Sequence, residues 1–209
     1  PKQEKVFSPL FDPKHERAIF QDTLYTEVAE GEILLDNFVE HIVRGRPVEE
    51  ILYATVPTLR NGVQVIRDTG ESLAPFYQDQ QALIQNMQTM LGKDLVKTHA
   101  FYGFPIGTRQ EVKSYLYENL NLIPGVPVLF LSDLGLLSAN DLSKRDERKN
   151  WQYICELVGE LGSRAIAYLP VPELYWENTL RKNCDLYFWD RPNKWVYQKS
   201  IFNISAQQI

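Results

Sequence analysis

The chain has 209 residues, with 22 basic against 27 acidic side chains interspersed along it for a formal net charge of −5. Such a balance gives a nucleic-acid backbone no electrostatic footprint. A hydrophobic share of 44% with 23% charged residues excludes disorder over most of the length, and the length suits one large domain or one domain with a substantial extension. No apolar run approaches the ~18 residues of a membrane span and nothing resembles a signal peptide, so we expect a soluble, cytoplasmic protein with neither membrane nor nucleic acid as partner. It opens at Pro1 without a methionine, as a mature or excised piece of something longer would.

In chain order, "FSPLFDP" reads as an extended lead-in. Phe20, Leu24 and Val28 then recur every four residues, with Tyr25 and Ala29 widening the stripe, which predicts an amphipathic helix from His15 that Gly31 ends. Leu35, Phe38, Val39 and Ile42 share one face of a second helix that stops at Gly45. Residues 47–59 are ambiguous, a short helix at "VEEILYA" followed by a connector. Residues 1–60 are thus expected to form a helical N-terminal extension.

After Gly62 short apolar runs alternate with helical patterns. The runs are Val63 to Arg67, "KTHAFYGFP", "VPVLFLS", "RAIAYLP" and "CDLYFW"; the helices carry Leu83, Ile84, Met87 and Leu91, then Ile154, Leu157, Val158 and Leu161. Strand alternating with helix implies crossover connections and a mostly parallel sheet covered on both faces. The expectation over residues 61–209 is a doubly wound, Rossmann-like α/β domain, to which "KWVYQKSIF" could add an edge strand. Cys155 and Cys184 fall in a helical and a strand-like segment and are expected as buried free thiols. His15, His41 and His99 are scattered without a metal or nucleophile pattern, and no Gly-rich phosphate loop is present.

Chemistry concentrates at "VQVIRDTGESLAPF", residues 63–76. Asp68-Thr69-Gly70 is the tripeptide of an aspartic protease, but that enzyme needs an all-β lobe and a second carboxylate to share a proton. Here the tripeptide is followed by about twenty residues of good helix formers. A strand, a polar turn and a long helix instead describe the first crossover of an α/β sheet, where ligands sit beyond the carboxyl ends of the strands. Gly70 suits a tight turn, while Glu71 and Ser72 also suit a helix start, Ser72 as its cap. "VPVLFLSDLG", the strongest buried-strand signal, ends in Asp133. If its strand adjoins the first, Asp68 and Asp133 emerge side by side, able to hold a hard cation such as Mg²⁺ or, without one, to share a proton.

These residues resemble a known family. "GVQVIRDTGESLAPFYQDQQAL" is similar to the first strand, metal-site turn and first helix of a von Willebrand factor A-like (vWA) domain. "VPVLFLSDLG" is similar to its fourth strand and aspartate turn, and "SRAIAYLPVPELYW" to its fifth strand and loop. With the helical preamble, the arrangement looks like the A-like domains of bacterial conflict systems, which are coupled to MoxR-type AAA+ ATPases and associated effector proteins. The resemblance implies a non-catalytic protein-interaction module with a degenerate metal-ion-dependent adhesion site (MIDAS). In it Asp68 matches the first aspartate, Ser72 the second serine and Asp133 the later aspartate, and Gly70 replaces the first serine. Thr108, in "FPIGTRQE", is the candidate for the threonine ligand. A divalent cation would be bound weakly, with water filling the lost positions.

Partner-binding candidates are Gly70 and Glu71 at the turn, with Trp189 and Arg191 in "YFWDRPNKW". The aromatic tail reads more readily as a strand ending in a turn with packed rings. "SKRDERKN" is a solvated loop and helix start. An enzymatic alternative uses Asp68 as the nucleophile of a Mg²⁺-dependent phosphotransferase or phosphatase, though its neighbouring residues lack the second acid such enzymes place on or after that strand.

Overall fold

The computed structural model describes residues 13–44, 51–102, 108–137 and 145–189. Five strands, β3 (Val63–Asp68), β4 (Val96–Phe101), β5 (Val128–Leu131), β6 (Ala165–Leu169) and β7 (Asp185–Phe188), form one parallel sheet in the order β4-β3-β5-β6-β7. Between them run α3 (Tyr77–Leu91), α4 (Arg109–Ser114, continued by a wider turn through Asn119), α5 (Arg145–Glu160) and α6 (Asn178–Arg181). The parallel α/β architecture expected for residues 61–209 is the one observed.

Strand side chains alternate between two cores, as period-2 geometry requires. Ile66, Phe101, Phe130, Ala167 and Leu169 face α4, α5 and α6 with Trp151 at the centre, its ring edge-on to Phe101 and Phe130. Val65, Leu129, Leu131, Ile166 and Tyr168 face α3, which contributes Leu83, Ile84 and Met87. The chain leaves β3 for β4 on one side, then returns across it to β5 and winds the other way. A right-handed crossover on each side of that reversal sends α3 to one face and all later helices to the other.

That winding leaves β5 and β6 uncovered on the α3 face, and helix α1 (Pro13–Thr23) fills the gap. Ile19, Phe20 and Leu24 are buried in that core. Thr23 Oγ1 and Tyr168 Oη are hydrogen-bonded at 2.6 Å, and Glu16 accepts from Asn86 Nδ2 of α3. The Arg164 guanidinium lies 4.3 Å from the Tyr25 ring centroid and donates to the Tyr25 carbonyl. Residues 13–25 therefore belong to the α/β layers. They lie on the sheet face that the winding leaves bare.

The first helix also ends earlier than its four-residue stripe suggests. Residues 26–28 are extended as β1 (Thr26–Val28), paired antiparallel with β2 (Val56–Thr58), because Thr26 and Val28 find a cross-strand partner that local periodicity does not reveal. The ladder continues through Gly31, whose added Cβ would meet Ala54 O at 2.6 Å, to an Ile33–Tyr53 bridge. Helix α2 (Leu35–Val43) follows, as the spacing predicts. Residues 51–55 are not helical, while 45–50, Arg191 and the "KWVYQKSIF" tail lie outside the described residues.

Candidate functional site at the switch point of the sheet

Strands β3 and β5 are hydrogen-bonded neighbours on either side of the winding reversal, so their carboxyl ends open onto the crevice where such sheets bind ligands. Asp68 ends β3 and is buried. Its Oδ1 accepts from the Gly70 amide (2.8 Å) and its Oδ2 from Ser132 Oγ (2.7 Å), just past β5. Ser132 Oγ in turn accepts from the Leu134 amide at 3.0 Å.

Asp133 adjoins them and is only 3% exposed. Its Oδ1 accepts from the Gly135 amide at 3.0 Å, whereas its buried Oδ2 has no hydrogen-bond partner among the described residues. The Leu136 amide closes the turn on the Asp133 carbonyl, with Leu134 (φ +50°) and Gly135 (φ +74°) both left-handed between them. A left-handed leucine costs about 1–2 kcal/mol. Burial of the Leu134 side chain in the α5 core holds it there.

Burial is the main cause that pushes the Asp68 carboxyl above its ordinary value; the Gly70 and Ser132 donors oppose it, and the Asp133 charge adds to it. The Asp133 charge adds to the cost of ionising Asp68, a cost that a proton or a nearby cation offsets. Oxygen donors of this kind suit a hard ion such as Mg²⁺, which tolerates one or two carboxylates and keeps several waters. Among the described residues no group of three or more His, Cys, Asp or Glu side chains is placed to hold a metal. The set is two carboxylates and the Ser132 hydroxyl.

The strand ends are clamped from α3. Gln80 Nε2, fully buried, donates to the carbonyls of Asp68 (3.0 Å) and Leu131 (3.1 Å), joining β3 to β5. Thr69 is tied to β4 through the Phe101 carbonyl by its hydroxyl (2.6 Å) and its amide (2.9 Å). Tyr77 Oη donates to the carbonyls of Thr69 and Gly70. Gly70 itself has ordinary extended dihedrals, and a Cβ there would stand 3.0 Å from Asp68 Oδ1. The carboxylate's close approach, and not an unusual φ, is what favours glycine.

The structure thus brings together Asp68, Gly70 and Asp133 among the residues singled out from sequence. Ser72 lies exposed within the 3₁₀ turn Glu71–Phe76, alongside exposed Glu71, and caps nothing: Gly70 occupies the cap position with no side-chain bond. Thr108 is the N-cap of α4, in a capping box where its hydroxyl accepts from the Glu111 amide and its own amide donates to the Glu111 carboxylate. Trp189 is 1% exposed and packs on Phe76 at 5.9 Å between centroids, inside the α3-face core. Both cysteines are buried free thiols.

Ser132 and Gln80 were not singled out from sequence. Gln80 carried a signal, because it precedes Leu83 by three and Met87 by seven residues, a polar side chain on the buried stripe of α3. Ser132 carried one only once its strand was known to neighbour β3.

Fold and site define a doubly wound parallel α/β domain with two buried aspartates at the carboxyl ends of adjacent strands. No protein-family model matches the chain, and no curated protein matches it either. Among the described residues no helix is long and apolar enough to cross a membrane.

Proposed function

We propose that the chain is a non-catalytic, vWA-like protein-interaction module whose crevice holds a divalent cation, Mg²⁺ or a similar ion, through Asp68, Ser132 and Asp133. Bound there, the cation would supply a coordination position for a partner's carboxylate, a contact strengthened by low local dielectric. The observation that carries this reading is Asp133 Oδ2, a buried carboxylate oxygen without a donor among the described residues, whose charge acts on the second buried carboxylate, Asp68. Buried polar atoms are rarely left so, and an ion or ordered water is the usual explanation.

Within the same reading, the partner is a protein of a bacterial multi-protein system, a MoxR-type AAA+ ATPase or an associated effector. Residue resemblance alone supports that assignment. The phosphotransfer alternative is less favoured, because Asp68 is buried with each oxygen already accepting a hydrogen bond, a poor state for a nucleophile. The protease alternative is less favoured again, since Asp68-Thr69-Gly70 closes a parallel strand ahead of a helix.

Thermal melts in EDTA, Mg²⁺, Mn²⁺ and Ca²⁺ test the site, because an ion bound only by the native state raises the melting temperature by mass action. The shift should be present in the wild type and absent in Asp68→Ala and Asp133→Asn. No shift at millimolar ion, or a shift that both variants retain, rejects the cation site. Turnover of p-nitrophenyl phosphate that Asp68→Asn abolishes would transfer the case to the enzyme.

A further inference from the structure

The apolar surface of this protein is concentrated far from the crevice. Of the seventeen large hydrophobic residues exposed among the described residues, ten lie between Ile33 and Val56, on α2 and the ladder beside it. In α2, Leu35 is 63% exposed, Val39 53%, Ile42 57% and Val43 79%. Every described side chain of this nine-residue helix is exposed, Leu35, Val39 and Ile42 of its apolar stripe among them. A helix this short is marginal in water without a tertiary contact, and a two-stranded ribbon is no sturdier. Both elements call for a cover.

We propose that the cover is a second copy of this chain, docked isologously about a two-fold axis near Val39 with the two α2 helices antiparallel. The area is of the right order: weighted by residue size, the ten exposed residues, spread over α2 and both sides of the ladder, present on the order of 1,000 Å² per protomer, against roughly 800 Å² per partner in a stable interface. The stripe is self-complementary, since Leu35, Val39 and Ile42 repeat at the spacing that interlocks facing helices. Antiparallel pairing also sets the positive end of each helix dipole, which carries Asp36, beside the negative end of the other, which carries His41. A two-fold contact uses the same patch twice and closes, leaving no apolar face to recruit further copies.

Sedimentation equilibrium of the full chain from about 1 to 100 μM tests this, the range over which a standard interface is half dissociated when its affinity is micromolar. The wild type should be dimeric, and Val39→Asp and Val43→Asp should each weaken dimerisation at least tenfold without altering the far-ultraviolet circular dichroism. Leu174→Asp, at an exposed apolar residue elsewhere, should leave it unchanged. As a check that requires no destabilising charge, Val39→Cys should cross-link to itself under mild oxidation, the native thiols being buried. A wild type that stays monomeric at the top of the range overturns the proposal. So does a dimer that both α2 aspartates leave intact, or one in which Val39→Cys does not cross-link.

Discussion

At the scale of single residues, the crevice is governed by how one buried carboxyl is kept. The folded-state pKa of Asp68 lies above its unfolded value, so the protonated form is the one the fold favours. Its contribution to stability is complete below the unfolded carboxylate range and is lost as pH rises through the folded value. In EDTA, melting temperatures taken between about pH 4 and 7 should fall with rising pH more steeply for the wild type than for Asp68→Asn. If the site holds Mg²⁺ as proposed, saturating Mg²⁺ should offset that fall, because the ion would take the place of the proton and bind best where Asp68 is ionised. Asp68 and Asp133 were legible in the sequence because each closes an apolar run with an acid. Ser132 was not, since a serine before an aspartate has no meaning until strand order makes it face Asp68.

At the scale of elements, what could be read depended on whether the deciding contacts were local. "VPVLFLS" is apolar throughout because β5 is covered on both faces, and its sequence alone carries that fact. The α2 stripe is equally plain, yet nothing local states what the stripe rests on. Residues 26–28 are the opposite case: their apolar spacing continues the helix, and only a partner some thirty positions onward, Val56–Thr58, makes them a strand. Thr108 shows how an element can claim a residue for its own use. Thr108→Ala should cost about 1 kcal/mol in urea unfolding through loss of the α4 cap. If the hydroxyl serves only that cap, the variant should keep the full cation-dependent melting shift.

At the scale of the whole molecule, α1 is the device that completes the layers. Phe20→Ala should destabilise the fold by about 3–5 kcal/mol in denaturant titration, as the loss of a fully buried aromatic side chain in a sheet-packed core does. An appended helix would lose far less. Composition and alternation made the parallel sheet readable, but not the place of α1 over the bare half of its face, because which face lies bare follows from strand order. The position of α1 also bears on the order in which the protein is made. Thr23 and its partner Tyr168 are 145 residues apart, so α1 leaves the ribosome well ahead of β6 and lacks part of the surface it rests on until that strand has followed it out. Throughout that interval Ile19, Phe20 and Leu24 lack part of their cover and stay accessible to other nascent chains, and a helix that precedes the whole sheet in the chain is among the last elements to be secured.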